Sequence, residues 1–311
     1  MNKKIILPGG AGLVGQNLIL YLKQAGYTNL VVIDKHPKNL SVLKKLHSDI
    51  TIINADLAVP GVWEQHFVNV DIVIMLQAQI GGLNYNEFVR NNIDSTRLIL
   101  AECQKYSVPY IIHISSSVVE STVNDFYTKT KRVQEQLITD SQIPNIMLRP
   151  TIMFGWFDRK HFGWLARFMQ KIPIFPIPGD GKYIRQPLYV GDFCEIVLSC
   201  IKNNLTNQAY LISGQKHIYY INIIKEIKSA INAKSVILSI PYWLFYSLIW
   251  TWSRFDRNPA FTVQQLQYLV GKHEFDLIDW PTIFGVNQTP FTEAIKETFT
   301  HPIYSQIKLD F

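Results

Sequence analysis

Cysteine is scarce in this chain of 311 residues. The three present, Cys103, Cys194 and Cys200, form no CxxC pair and are odd in number, so neither a disulfide framework nor a thiolate zinc site is indicated. They read as small buried hydrophobes. The eight histidines are scattered, without the i, i+4 spacing of an HExxH helix, and no metal site is expected. No Lys/Arg-rich block or aromatic-basic ladder appears, so the formal charge of +6 does not point to nucleic acid and would equally suit an anionic small molecule. Two lysines near the N-terminus precede an apolar run of only three residues, short of the roughly 7 to 15 a signal peptide needs, and the chain is expected to stay in the cytoplasm. Charged residues are few, 17% against a typical value of about 25%, while hydrophobic residues reach 48%, which excludes an intrinsically disordered chain. Internal repeats and low-complexity segments are absent.

What is present is a rhythm. Short β-branched runs at 5–7, 30–33, 50–53, 72–76, 110–114 and 146–148 read as strands, and helix-length stretches such as 14–25 and 91–105 lie between them. Alternating strands and helices imply a parallel sheet covered on both faces, because parallel neighbours need crossover connections of one hand. The predicted fold class is α/β, a Rossmann-type doubly wound parallel sheet. After Pro150 the rhythm breaks into aromatic and proline-rich loops, and strand-like segments return at 188–190 and 210–212. A doubly wound domain over 1–152 plus about 186–215 is therefore expected, with a smaller α/β lobe over 153–185 plus 216–311 and a discontinuous boundary.

Gly9-Gly10-Ala11-Gly12-Leu13-Val14-Gly15 follows the first strand, where a helix must begin. Glycines serve there because the turn needs permissive dihedrals, a pyrophosphate must approach bare backbone, and the helix must pack tightly on its strand. The free amides and the positive helix end then hold the phosphates. Asp34 closes the second strand 19 residues after Gly15, where a carboxylate accepts from both ribose hydroxyls and repels a 2′-phosphate, favouring NAD over NADP. Lys35 and His36 follow at once and could soften that choice. Asp56-Leu57, after the third strand, reads either as lying beside the adenine or as a simple turn.

Tyr127 and Lys131 stand at i and i+4, on one helical face. A phenol with a pKa of about 10 is a poor base at neutral pH until a nearby cation stabilises the phenolate, and Lys131 would provide that cation while holding the nicotinamide ribose. Ser115-Ser116-Ser117, at the carboxyl end of the fifth strand, offers a partner hydroxyl where open α/β sheets bind ligands.

With these residues in this order, the chain resembles the short-chain dehydrogenase/reductase superfamily, in its extended (or atypical) NAD-dependent epimerase/dehydratase branch. The matching segments are GGAGLVG (9–15), DIVIMLQAQ (71–79), NIDST (92–96), HISSSVVE (113–120), YTKTK (127–131), LRPTIMFG (148–155) and RQPLYVGDF (185–193). The resemblance implies that Tyr127 is the general acid/base, Lys131 its electrostatic partner and Ser116 the hydroxyl steadying the carbonyl, with Val119 three residues beyond it as in the family. It implies NAD contacts from Gly9, Gly12, Leu13, Val14, Asp34, Lys35, Asp56, Leu57, Leu76, Gln77, Ala78, Tyr127, Lys131, Pro150 and Ile152, and substrate contacts from Gln79, Ser117 and Arg185. Arg185 resembles the arginine that contacts a nucleotide-sugar diphosphate; a loop arginine paired with Asp180 or Asp192 is the other reading. A homodimer pairing through the helices of Asn92 and Tyr127 is implied too.

Departures from the family pattern narrow the activity. Ser117-Val118 replaces the Asp-Glu pair that eliminates water in dehydratases, which disfavours dehydration. Ile152 stands where nucleotide-sugar epimerases carry an Asn that meets the substrate phosphate. Only ten residues separate Ser116 from Tyr127, a short connection similar to that of the complex I accessory subunit, whose relatives generally lack the Tyr-Lys pair. The expectation is thus an NAD-dependent, epimerase-like enzyme on a small molecule, a nucleotide-linked sugar. Its alternatives are a net dehydrogenase or ketoreductase on a sugar, steroid-like or lipid alcohol, and a cofactor-binding assembly subunit. The 17-residue uncharged stretch 236–252, VILSIPYWLFYSLIWTW, is too short to span a bilayer and is interrupted by Pro241. A helix packed within the substrate lobe is expected there, with contact to a membrane surface the less favoured alternative.

Overall fold

The computed structural model describes residues 2–122, 124–255, 262–271 and 274–310. The β-branched runs become β1 (Ile5–Pro8), β2 (Leu30–Asp34), β3 (Thr51–Asn54), β4 (Ile72–Met75), β5 (Ile111–Ile114) and β6 (Asn145–Pro150). A further strand, Gln208–Ile212, returns from the C-terminal half and lies beside β6. The seven strands are all parallel, in the order 208–212, β6, β5, β4, β1, β2, β3. This is the expected doubly wound α/β sheet, and its strand order reverses between β1 and β4.

Alternate residues explain why these runs are apolar throughout. Ile5, Leu7, Ile72, Ile74, Ile112 and Ile114 enter one core with helix α1 (Leu13–Gln24) and the helix Val190–Asn203. Ile6, Val31, Ile33, Val73, Met75 and Ile111 enter a second core, with Trp63, Phe67 and Ile99, on the opposite face. A sheet buried on both sides needs apolar residues at every position, and each such side chain contributes about 1.5–3 kcal/mol on burial. The three cysteines are buried among these residues.

Three expectations need correction. The stretch 91–105 is not one regular helix: Ser95–Lys105 is α-helical, but Val89–Asp94 is a π-helical turn. There Ser95 Oγ donates to the Asn91 carbonyl and Thr96 Oγ1 to the Asn92 carbonyl, each at 2.6 Å, bonds that compete with the regular ladder. The predicted strand 188–190 does not join the main sheet. Leu188–Tyr189 pairs with Met153–Phe154 outside it, and Val190 already opens a helix.

The third correction concerns 236–252, which is not a packed helix. Val236–Ile240 is a strand paired in parallel with Ile174–Pro178, and Tyr242–Phe255 is a separate helix in which Ile249 is the buried residue. Pro241 has no amide hydrogen to continue a ladder, so the chain changes state at that residue. Phe245 and Tyr246 are half-buried, while Trp243, Trp250, Trp252 and Phe255 stay exposed.

Candidate active site

Ligands in sheets of this kind bind beyond the carboxyl ends of the strands, where the order reverses. The chain leaves β1 through Gly9, at φ +76°, where an added Cβ would lie 2.5 Å from the Gln77 backbone. The turn therefore presses directly on the segment after β4. A Cβ at Gly15 would lie 2.2 Å from the Gly10 carbonyl oxygen, so the start of α1 also touches the turn. Gly12 caps α1 without a side-chain hydrogen bond, and no acidic residue occupies the first turn, which leaves Leu13 and Val14 at a positive helix end suited to an anion.

Asp34 ends β2 as a buried carboxylate. Its Oδ2 accepts from the Ala11 amide at 3.1 Å and its Oδ1 from the His36 amide at 3.0 Å, so it stands against the glycine turn. Lys35 donates to Asn91 Oδ1 at 2.6 Å and lies 3.8 Å from Asp56, which Arg90 pairs at 2.7 Å. Burial alone would raise the Asp56 carboxyl, but the Ala58 amide, Arg90 and Lys35 outweigh it and hold the group below its ordinary value. Leu57 is buried beside it. Leu76 extends the sheet by donating to the Pro8 carbonyl at 2.9 Å, the buried Gln77 donates to Thr96 Oγ1 at 3.3 Å, and Ala78 is exposed. Glycine backbone, helix end and the buried carboxylate at the end of β2 together form a donor and acceptor set that fits a dinucleotide.

Across the cleft, Ser116 follows β5 and Tyr127 opens the helix Phe126–Asp140, capped by Asp125 Oδ1, which accepts from the Thr128 amide at 2.7 Å. The Ser116 hydroxyl lies close enough to the Tyr127 phenol to act on its proton affinity. Burial pushes the Tyr127 phenol up to about 12; the Ser116 hydroxyl opposes the rise and the Asp125 carboxylate adds to it. Lys131, one turn further along the helix, is fully buried, with Nζ donating to the Ile114 carbonyl at 3.0 Å and 3.5 Å from His113 Nε2. Burial pushes this amine down to about 7, against the pull of Glu135. Desolvation, then Lys131 and Arg149, force His113 well below its ordinary value, so its imidazole is neutral.

The short Ser116 to Tyr127 connection is held in place by two arginines. Arg132 donates to the carbonyls of Val119 at 3.0 Å and Ser121 at 2.6 Å. Arg149 grips Glu135 through two bonds, at 2.9 and 2.6 Å, and Glu120 at 2.8 Å. Strand β6, the turn after Ser116 and the Tyr127 helix are thus bolted together by charge-assisted bonds, the strong kind.

Of the expected substrate residues, Gln79 is fixed by reciprocal bonds with Asn92: the Gln79 amide donates to Asn92 Oδ1 at 2.6 Å, and Asn92 Nδ2 to the Gln79 carbonyl at 3.2 Å. Asn92 also donates to Thr130 Oγ1 at 2.9 Å, coupling that loop to the Tyr127 helix. Ser117 and Pro150 are buried, whereas Ile152 is 39% exposed. Arg185 donates to the backbone carbonyls of Ile184, Leu269 and Gly271 and sits over the Tyr183 ring. Asp192, proposed above as its partner, accepts instead from the amide and hydroxyl of Thr289; burial raises this carboxyl to about 6.

The sequence reading missed His113, the Asn92–Thr130 link and both arginines. Asn92 and His113 lay inside recognised motifs, but nothing in their spacing tells which side chain they meet. Arg149 and Glu135 lie on different elements, and only the fold joins them.

Comparison with known proteins agrees with the fold. Residues 5–213 match the family described as NAD dependent epimerase/dehydratase. The chain is 23% identical to a 2-alkyl-3-oxoalkanoate reductase of Stenotrophomonas maltophilia, over 94% of this chain and 97% of that protein. It is likewise 23% identical to a UDP-glucose 4-epimerase of Vibrio cholerae, over 79% of this chain and 81% of the other. Among solved structures it is similar to the UDP-glucuronic acid 4-epimerase of Bacillus cereus in complex with UDP-glucuronic acid and NAD, with TM-score 0.74 and 20% identity, covering 95% of this chain and 98% of that one.

Proposed function

The chain belongs to the NAD dependent epimerase/dehydratase family, and we propose that it is an NAD-dependent enzyme acting at a secondary alcohol carbon, epimerising a nucleotide-linked sugar by transient oxidation. The observation that carries this reading is the Ser116 hydroxyl close to the Tyr127 phenol after β5, with Lys131 one helical turn on and its amine buried against the end of that strand.

Gly9, Gly12, Leu13 and Val14 would hold the pyrophosphate and Asp34 the adenosine ribose, where its carboxylate would reject a 2′-phosphate. Lys35, Asp56 and Leu57 would border the adenine, and Leu76, Gln77, Ala78, Pro150 and Ile152 the remainder of the dinucleotide. When bound, NAD supplies the hydride acceptor and donor. Tyr127 takes the proton from the substrate hydroxyl, and Ser116 donates to the same oxygen as it gains carbonyl character. A phenol pushed up to about 12 stays protonated at neutral pH, so the site needs a cation beside it to favour the phenolate. Lys131 is that cation once it turns from the Ile114 carbonyl toward the ribose and the phenolate. Epimerisation would need the bound cofactor to give the hydride back on the other face, and Tyr127 would return the proton to the oxygen.

Two observations favour a second reading, net dehydrogenation or ketone reduction of a sugar, steroid-like or lipid alcohol. The Arg185 guanidinium is engaged by backbone carbonyls, and Ile152, 39% exposed, stands where nucleotide-sugar epimerases carry the Asn that meets the substrate phosphate. The reductase among the relatives is named for an alkyl-chain oxoacid, a substrate of that chemistry. Deuterium at the reacting carbon separates the two. Epimerisation keeps the label on the substrate with cofactor retained through purification; net redox moves the label into exchangeable cofactor. Failure of every nucleotide sugar to raise the melting temperature in the presence of NAD would overturn the first reading.

A further inference from the structure

The strand Val236–Ile240 and the helix Tyr242–Phe255 belong to no part of the site above. Of the helix side chains, Ile249 is buried, while Trp243 is 69%, Leu248 56%, Trp250 47%, Trp252 54% and Phe255 86% exposed. On the strand pair before it, Val236, Leu238 and Ile174 are exposed as well. Apolar exposure on this scale marks a surface made to be covered.

Charge, residue type and length each bear on what covers it. From position 216 to 255 the sequence holds five basic residues, Lys216, Lys225, Lys228, Lys234 and Arg254, against the single acid Glu226. Lys171 and Lys234, both exposed, precede the two paired strands at the same end of the ribbon. A second copy would bring Lys171, Lys234 and Arg254 of one face against those of the other, which like-charge repulsion opposes, whereas an anionic headgroup layer complements them. Three tryptophans and two tyrosines in one short helix match the residue types that settle at the boundary between headgroups and acyl chains. The Arg254 guanidinium lies 4.6 Å from the centre of the Trp250 ring, a cation placed to stay at phosphate level while the ring enters the apolar layer. Fourteen residues extend about 21 Å, short of a hydrocarbon core of about 30 Å, and among the described residues no helix is long and apolar enough to cross a membrane.

We propose that the face formed by 236–255 docks, without spanning, into the interface of an anionic lipid bilayer, placing the substrate lobe on a membrane surface. The inference is independent of which alcohol the active site takes.

The test floats the full-length chain with phosphatidylcholine vesicles, with and without phosphatidylglycerol, and repeats this with the double variant Trp243→Gln/Trp250→Gln. The expected result is recovery with the anionic vesicles, weakened by salt, and a loss of about tenfold or more in the double variant. An unchanged melting temperature and unchanged NAD binding will show that the variant is folded. Tryptophan emission of the wild type should also be quenched by lipids brominated high on the acyl chain. Three results would overturn the proposal: no flotation with either vesicle, equal flotation of the double variant, or a lipid-free dimer that vesicles do not compete with and that the double variant dissociates.

Discussion

Replacing Lys131 by methionine should make the protein more stable near neutral pH while removing its activity. The amine has no exposed surface, and burial pushes it from an ordinary 10.5 down to about 7. Between those two values the unfolded chain binds a proton that the folded chain does not, so stability rises with pH across that window; below about 7 both forms are charged and the full cost of burial applies. Each tenfold change in proton affinity is worth about 1.4 kcal/mol, so keeping this lysine buried costs about 4 kcal/mol at pH 7 and about 2 kcal/mol at pH 9. Lys131→Met removes that cost but leaves the Ile114 carbonyl without its donor, a loss of about 1–3 kcal/mol. A net gain of about 1–3 kcal/mol near pH 7 is expected, shrinking to nothing or reversing near pH 9. Urea unfolding of wild type and variant at both pH values measures it. If the two proteins show the same pH slope, the account of a desolvated amine held one turn from the phenol is wrong.

Other perturbations test the remaining parts of the site. Gly15→Ala forces a methyl group against the Gly10 carbonyl; at least a tenfold weaker NAD affinity and a loss of about 1–3 kcal/mol should appear in titration and in melting. Arg149→Met strips Glu135 and Glu120 of their shared partner, and denaturant unfolding should register a loss of about 3 kcal/mol, with turnover falling because the Ser116 turn and the Tyr127 helix separate. Ser116→Ala should lower turnover by about a hundredfold with NAD binding intact, read as kcat against cofactor Kd; loss of NAD binding instead would make Ser116 a cofactor residue. Arg185→Gln should loosen the segment around Leu269 and Gly271, detectable as faster limited proteolysis there; a raised KM for nucleotide sugars without any loosening would restore the diphosphate role.

How far the sequence could be read depended on where each interaction lies. The strands 5–8, 30–34, 72–75 and 111–114 were legible because burial on both faces leaves a near-continuous apolar run, and the glycine turn because close backbone approach tolerates no Cβ. The stretch 236–252 was not, since apolar character alone cannot tell a packed helix from one that leaves most of its rings exposed. Arg185 meets carbonyls more than eighty positions away, contacts that no local spacing encodes. The Tyr127–Lys131 spacing put both side chains on one helix face, yet the amine is turned to the Ile114 carbonyl and the neutral His113, a partner set supplied by β5. The π-helical turn at Val89–Asp94 escaped because its residue types carry no local signal that separates it from a regular helix.

The account rests on Tyr127 as the group that moves the substrate proton. Its most direct test mixes NAD-loaded wild type and Tyr127→Phe with a substrate that either reading allows, and follows the near-ultraviolet absorbance of reduced nicotinamide in a single turnover. Wild type should show the signal form, and then decay if hydride is returned, while Tyr127→Phe, binding NAD equally well, should show it at least a thousandfold more slowly. Equal rates in the two proteins would contradict the central claim.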